Sequence, residues 1–279
     1  MSSPATPLHR VPPHPRRIWI GFVLSQMIVA ALWWWLGWRA GLPAMVLSHL
    51  SLFWGALWPQ SRLYGPALSR LPVADKRVWL TIDDGPSGDT AAILDLLDAH
   101  GAKATFFLVG ERAAARPDLV RAIAARGHGI GNHSQAHPSR WFWALGPRRM
   151  REEIAGGQAI LRGITGQPPR WFRAVVGMAN PFTVAPLREH GLSRVAWSAR
   201  GFDAVAPDPA TVVSRIERTL APGAIVLMHE GAGHGRSVDA MALLLRRFDA
   251  LGYGTLLPEA LEGDPRSRAR PVAAGAHAP

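Results

Sequence analysis

The fold is decided by residues 78–86, which read VWLTIDDGP. The run VWLTI has the length and apolar character of a buried strand. It ends in two adjacent carboxylates, Asp83 and Asp84, on a turn indicated by Gly85 and Pro86. Because neighbouring side chains diverge there, one carboxylate can bind a metal ion while the other moves a proton. An ordinary turn uses the same residues, so the motif needs support from the rest of the chain.

Similar strand-like runs recur after residue 86, separated by helical patterns. The predicted strands are 78–84, 103–109, 127–133, 171–176, 194–199, 223–229 and 253–258. Helices are expected at 90–100, 116–126, 147–164, 181–190, 208–220 and 238–251. This alternation predicts an α/β fold, a distorted (β/α)7-type barrel of parallel strands. In such barrels the functional side chains lie at the C-terminal ends of the strands.

Two histidines, His133 and His137, lie four residues apart in the sequence HSQAH. That spacing places both imidazoles on one face of a helical turn, where they can chelate one ion. Asp84 is our choice for the third ligand, because two histidines and a carboxylate leave positions open for water and substrate. Two of the chain's histidines can also fall four apart by chance.

Other polar residues also fall at or just after predicted strand ends: Arg173, Asp203 and His229. His229 follows a fully apolar run, where a general acid would face the barrel mouth. A structural histidine with a satisfied hydrogen bond is a fair alternative.

Several motifs occur in the same order as in the NodB-homology polysaccharide deacetylases, carbohydrate esterase family 4. The motifs are TIDDGP, HSQAH and LMH, and Arg173 and Asp203 lie between the last two. The chain resembles that family over roughly residues 77–258. The resemblance implies that Asp83 is the general base that activates water and that His229 protonates the leaving amine. It implies that the metal ligands are Asp84, His133 and His137.

Two segments depart from the family's pattern. After Arg173 the family usually has the pattern Arg-x-Pro-Tyr, or a similar aromatic in place of the tyrosine, whereas this chain has Val176 at the aromatic position. Val176 therefore offers only its backbone N–H. Arg173 itself is suited to orient Asp83. Arg200 replaces a usual first aspartate, and the second, Asp203, is expected to orient His229. These changes indicate a substrate unlike a long neutral chitin chain. Four residues are candidates for apolar substrate contacts, or equally for core or membrane-facing positions: Trp141, Phe142, Trp143 and Met178.

Residues 18–58 are expected to form a membrane anchor of one or two transmembrane helices. Residues 18–38 carry no charge and have the length of a membrane span, and residues 40–58 form a second uncharged stretch. Seven of the 12 tryptophans lie in these stretches, as expected at a lipid–water interface. A signal peptide is the alternative, but the first stretch is too long and lacks a cleavage site.

The distribution of basic residues predicts orientation in a bacterial inner membrane. Arg10, Arg16 and Arg17 precede the first span, so the N-terminus is expected in the cytoplasm. A hairpin of two spans places the catalytic domain in the cytoplasm too, whereas a single span over residues 18–38 places it in the periplasm. The net charge of +11 is scattered, which favours contact with anionic lipid over nucleic acid.

The remaining segments complete the predicted organisation. Residues 1–17 and 263–279 are expected to be disordered tails, residues 59–76 a linker and residues 77–262 the NodB-like domain. The chain has no cysteine, so a metal must use histidine and carboxylate ligands, which suit zinc and permit cobalt or nickel.

The predicted function is a metal-dependent hydrolase that removes an N-acyl group, acetyl or formyl, from an amino sugar of a lipid-linked or envelope glycan. The alternative is a membrane-bound glycan-binding or scaffold protein on a degenerate deacetylase barrel.

Overall fold

Eight short strands form one curled sheet in the computed structural model, which describes residues 8–262. All the paired strands are parallel, and the order is β5-β4-β3-β2-β1-β7-β6, with β8 paired to β1. The strands are β1 (Arg77–Gly85), β2 (Ala104–Leu108), β3 (Gly129–Asn132), β4 (Trp171–Phe172), β5 (Ser193–Arg194), β6 (Ala199–Arg200), β7 (Ile225–His229) and β8 (Gly254–Thr255). This is the predicted distorted (β/α)7-type barrel.

The barrel is distorted where its two edges approach each other. The strand predicted at 194–199 is divided, because the backbone leaves β5 at one edge of the sheet and enters β6 at the other. Leu68 lies in the gap, where its N–H donates to the Arg194 carbonyl at 2.9 Å and its carbonyl accepts from Ala196 N–H at 2.8 Å. Residues 59–76, predicted as a linker, therefore pack along the open seam of the barrel.

The barrel helices lie outside the sheet and bury its outward side chains. They are α3 (Thr90–Ala99), α4 (Gly110–Ala115), α5 (Pro117–Ala125), α6 (Pro147–Thr165), α7 (Val184–Glu189), α8 (Pro209–Glu217), α9 (Ser237–Leu251) and α10 (Pro258–Glu262). Along β1, Leu80 and Ile82 pack under these helices, whereas Trp79 packs inside the barrel with Phe107. By the same alternation Asp83 points inward at the C-terminal end of β1.

Two long helices precede the barrel and form a hairpin, α1 (Arg16–Leu36) and α2 (Trp38–Leu57). Gly37 joins them with a φ of +73°, a conformation that glycine adopts without steric cost. Both helices are long and apolar enough to cross a membrane, and by the same criterion α1 also fits a signal sequence.

Residues 8–15, predicted as part of a disordered tail, lie against the barrel. The His9 ring packs edge-on to Trp171 at 5.4 Å, and the Arg10 N–H donates to Ser193 Oγ at 3.1 Å. These specific contacts offset the entropy of ordering the segment. The rest of that tail and residues 263–279 lie outside the described residues.

Candidate active site

The two carboxylates of the β1 turn point in different directions. Asp83 is still in register with β7, opposite His229, whereas the β1–β2 register shifts between Asp83 and Gly85. Asp84 lies at that irregularity with a φ of +72°, an uncommon conformation for a residue other than glycine. Asp83 is consequently buried inside the barrel, while the Asp84 side chain is partly exposed at the mouth.

Arg173 holds Asp83 from below. Its Nη1 donates to Asp83 Oδ1 at 2.7 Å and to Thr81 Oγ1 at 2.7 Å, and its Nη2 donates to the Ala196 carbonyl at 3.1 Å. The guanidinium also lies 4.3 Å from the centre of the Phe107 ring. Complete burial lowers the pKa of Arg173, and the charge of Asp83 opposes that shift. Arg173 therefore fixes one carboxylate oxygen of Asp83 and leaves the other towards the mouth.

Asp84, His133 and His137 lie together, with candidate ligand atoms all within 4.8 Å of one another. Asp84 Oδ1 is 3.0 Å from His137 Nε2 and 3.6 Å from His133 Nε2. His133 Nδ1 is 2.8 Å from the Arg173 carbonyl, which orients its Nε2 towards the carboxylates. Two imidazole nitrogens and one carboxylate oxygen are a donor set that fits a catalytic zinc ion.

The HSQAH segment is a loop and not the predicted helical turn. Ser134 and His137 both have positive φ angles, 70° and 55°, so the two imidazoles converge from an irregular backbone. The buried side chain of Glu153 on α6 stabilises this loop by accepting the N–H groups of Gln135 at 3.2 Å and Ala136 at 2.9 Å. Sequence reasoning missed Glu153, because a glutamate on an amphipathic helix is normally a surface residue.

The electrostatics of the cluster favour ionised Asp84 and neutral His133. Burial would raise the pKa of Asp84, but the hydrogen bond with His137 holds that pKa well below its ordinary value. Burial lowers the pKa of His133, and this outweighs the nearby carboxylates. A carboxylate anion and a neutral imidazole are the forms that bind metal.

His229 and Asp203 form a second pair, and His229 lies beside Asp83 on the neighbouring strand. Asp203 Oδ1 is 2.9 Å from His229 Nδ1, and Asp203 Oδ2 accepts the His229 backbone N–H at 2.5 Å. Burial alone would lower the pKa of His229, but the charge and hydrogen bond of Asp203, with smaller contributions from Asp83 and Asp84, raise it to about 9. His229 is thereby kept protonated at neutral pH, and across residues 8–262 its Nε2 forms no hydrogen bond.

His234 supports the same aspartate, since its Nε2 lies 2.7 Å from the Asp203 carbonyl. Glu230, which is buried and adjacent to His229 in sequence, stabilises the turn after β1. Its Oε2 accepts a hydrogen bond from Ser87 Oγ at 2.7 Å. Sequence reasoning missed both residues, although Glu230 directly follows His229.

The four candidate aromatic and methionine contacts have different surroundings. Phe142 and Met178 are buried in a cluster under α6, so the core alternative applies to them. Trp143 packs against Phe53 of the hairpin with ring centroids 5.6 Å apart. Trp141 is 64% exposed and remains available.

The two unusual segments also lie near the strand ends. Val176 is 55% exposed and has a φ of +52°, a strained conformation for a β-branched residue. Arg200 is half-buried, and its guanidinium stacks 3.8 Å from the centre of the Phe202 ring.

Comparisons with known proteins agree with this geometry. The family model for polysaccharide deacetylase matches residues 70–195. A chitooligosaccharide deacetylase of Bradyrhizobium sp. is 35% identical over 158 residues, which are 56% of this chain and 71% of that protein. The chain belongs to the polysaccharide deacetylase family. This deacetylase is a hydrolase of carbon–nitrogen bonds, which confirms the predicted family and enzyme class.

Solved structures place the deacetylase in carbohydrate esterase family 4. A peptidoglycan N-acetylglucosamine deacetylase is similar with a TM-score of 0.65 and 31% identity, covering 72% of this chain and 95% of that one. A family pseudoenzyme from Bacillus anthracis is also similar, with a TM-score of 0.58, 27% identity and coverage of 65% of this chain and 63% of that one. The barrel alone therefore does not establish catalysis, and the side chains of the site carry that argument.

Proposed function

We propose that this deacetylase is a metal-dependent enzyme of the bacterial inner membrane that removes an N-acyl group from an amino sugar of a lipid-linked or envelope glycan. The observation that carries the proposal is the convergence of Asp83, the Asp84–His133–His137 cluster and the Asp203–His229 pair at one barrel mouth. The arrangement supplies a base, a metal site and an acid around a single substrate position.

Asp83 and His229 have the environments needed for opposite proton transfers. Asp83 takes a proton from water as the water oxygen attacks the carbonyl carbon of the amide. His229, which Asp203 keeps protonated, gives its proton to the sugar nitrogen as the carbon–nitrogen bond breaks. The products are a carboxylic acid, acetic or formic, and a free amine on the sugar.

The metal site fits the same reaction. A divalent ion held by Asp84, His133 and His137 would polarise the amide carbonyl and lower the pKa of water towards about 7. The ligand set suits zinc and accommodates cobalt or nickel. Val176 would contribute its backbone N–H to the developing oxyanion, since its side chain has no polar atom.

A membrane-resident substrate is supported by the position of the hairpin. The end of α2 is bound to the loop after β4 through the Ala179 N–H, which donates to the Ala56 carbonyl at 2.9 Å. Trp19 of α1 packs against Phe182 with ring centroids 5.4 Å apart. That loop also carries Val176 at the mouth, so the hairpin and the active site share one end of the barrel.

The orientation follows from charge. Arg16 and Arg17 lie at the start of α1, and Arg62 follows α2, so the basic residues flank the same end of the hairpin. Two spans would keep this end and the barrel in the cytoplasm. There the substrate is a lipid-linked amino sugar rather than finished cell wall. A single span is the alternative, and it would make the protein a periplasmic deacetylase of peptidoglycan or exopolysaccharide.

The test is mass spectrometry of lipid-linked and envelope glycans from cells with the wild-type gene, a deletion, Asp83→Asn or Asp118→Asn. Asp118 is a control for the same chemical change, because its side chain is 94% exposed on α5. We expect one amino-sugar species to gain an acyl mass in the deletion and Asp83→Asn strains only. Unchanged glycans in all strains would favour the scaffold alternative. Purified Asp83→Asn protein should retain metal, whereas His133→Ala should lose both metal and turnover.

A further inference from the structure

A long groove runs between the two hairpin helices. Its volume is about 890 Å³, and it is lined by α1, α2 and residues 62–66. The lining is mostly apolar along both helices, with Ile18, Phe22, Ile28, Leu32, Leu47 and Leu52 among its residues. From Arg17 to Leu32 the groove follows 16 residues of α1, and the 15 steps between them span roughly 22 Å at 1.5 Å per residue. It thus exceeds half the thickness of a hydrocarbon core, about 30 Å.

One end of the groove is cationic. Arg17 and Arg62 both line it and are exposed, and across residues 8–262 neither side chain forms an ion pair with a carboxylate. The segment that carries Arg62 is fixed to α2, because Tyr64 Oη donates to the Leu52 carbonyl at 2.9 Å. It is fixed to the barrel by Arg194, which is buried and donates to the carbonyls of Ser61 and Gly65.

This distribution matches an amphiphile with an anionic head. An apolar groove that begins at two unpaired guanidinium groups at the membrane surface complements a phosphate at headgroup level and a hydrocarbon chain in the adjoining leaflet. The same end of the hairpin contacts the loop after β4, through Ala56 and Ala179. A head group extending from that phosphate towards the barrel would therefore approach the active-site mouth.

We propose that the groove binds the lipid phosphate to which the amino-sugar substrate is attached. The chain lies between α1 and α2, and Arg17 and Arg62 bind the phosphate. This inference rests on the proposed function, since it identifies the carrier of the same substrate. It adds a second binding site, separate from the catalytic residues.

The test measures lipid binding without turnover. Full-length Asp83→Asn protein in phosphatidylcholine nanodiscs is titrated with undecaprenyl phosphate, and bound lipid is counted by native mass spectrometry. We expect the double variant Arg17→Gln/Arg62→Gln to weaken binding by roughly tenfold or more, because two charge-assisted hydrogen-bonding groups are lost. The control Arg16→Gln/Arg70→Gln removes the same charge from two exposed arginines that do not line the groove, and its binding should stay within about twofold of the parent.

A second variant tests the apolar part of the groove. Gly21 lines it, and a Cβ there would meet no atom within 4 Å, so Gly21→Trp would place a bulky side chain in the groove without a clash at Cβ. We expect Gly21→Trp to reduce binding of undecaprenyl phosphate as well.

Three results would overturn the inference: equal loss in both double variants, full competition by inorganic phosphate, or full competition by dioleoylphosphatidylglycerol. The first two indicate non-specific charge or free phosphate, and the third a general anionic lipid surface. The binding experiment does not depend on turnover, so the two proposals can fail separately. If the groove binds the lipid phosphate but cellular glycans are unchanged in the deletion strain, the proposed function is rejected and the assignment of the groove as a lipid-phosphate site stands.

Discussion

The protonation of His229 depends mainly on Asp203, with smaller contributions from Asp83 and Asp84. Their side chains meet at 2.9 Å, and the carboxylate offsets the burial that would otherwise lower the pKa of the imidazole. With a pKa of about 9, His229 carries its proton at neutral pH and loses it as the pH rises through that value. The alkaline limb of the rate profile should therefore report this group.

Asp203→Asn should move that limb to lower pH. The variant retains a hydrogen-bonding group but loses the negative charge, so the pKa of His229 falls by about one unit or more. The measurement is kcat against pH for wild type and variant on the amino-sugar species that the glycan mass spectrometry identifies. Asp208→Asn is the control, because Asp208 caps α8 at the protein surface. An unchanged alkaline limb in Asp203→Asn would show that His229 is not the acid.

Glu153 provides a second prediction at this scale, on metal affinity. Glu153→Ala removes the acceptor for two N–H groups of the HSQAH loop, so His133 and His137 lose their fixed orientation. We expect zinc affinity to fall roughly 10–100-fold, as for other residues that orient metal ligands. Competition with a chromophoric chelator measures this directly.

Glu152→Ala is the matched control for Glu153. The two glutamates are adjacent on α6, but Glu152 pairs at the surface with Arg148 and Arg149. Equal zinc affinity of the two variants would mean that Glu153 does not support the site.

At the scale of elements, α6 is packed closely against the metal-binding loop. A Cβ at Gly157 would lie 2.7 Å from Asn132 Oδ1 and 2.9 Å from the Ser134 carbonyl oxygen. Asn132 has little freedom to move, because its Nδ2 already donates to the Ile154 carbonyl at 2.9 Å. The helix and the loop therefore approach to a distance that only glycine permits.

Gly157→Ala should lower the free energy of unfolding by about 1–3 kcal/mol, since neither neighbour can yield easily. Gly163→Ala on the same helix should raise it by roughly 0.5–1 kcal/mol, because a Cβ there meets nothing within 4 Å. Denaturant titration compares the two variants. A similar effect of both substitutions would contradict the close packing of α6 on the loop.

The sequence predicted those strands and helices well whose own residues show a clear apolar pattern. The long apolar run of β1 and the amphipathic α6 were expected within a few residues of their observed ends. The strand predicted at 194–199 is two short strands in the structure, β5 and β6. The sequence does not indicate this break, because the place where the barrel opens depends on tertiary packing. Helix α4 was missed since six residues show little periodicity, although its Arg112 donates to the Asp84 carbonyl.

The site residues were predictable because they lie at or after the C-terminal ends of strands, and parallel strands bring those ends to one mouth. The supporting residues were not predictable in that way. Glu153 reaches the loop from a helix 16 residues beyond His137, and nothing in the local sequence indicates that contact. Its role depends on the tertiary packing of α6 against β3.

At the scale of the whole molecule, one hairpin and one barrel share the end that carries the active site. The number of spans then decides which side of the membrane the substrate comes from. If both helices cross, Arg39 at the hairpin turn and Arg218 on the barrel surface lie on opposite sides. If only α1 crosses, both lie outside the cytoplasm.

The chain has no cysteine, so single-cysteine labelling has no background in this protein. We expect Arg39→Cys to react with a membrane-impermeant maleimide in intact spheroplasts, and Arg218→Cys to react only after permeabilisation. Both positions are exposed, so a difference in reactivity reflects the membrane rather than burial. Labelling of Arg218→Cys in intact spheroplasts would place the barrel in the periplasm. The substrate would then be an envelope polysaccharide, and the basic residues before β1 would oppose the usual charge rule.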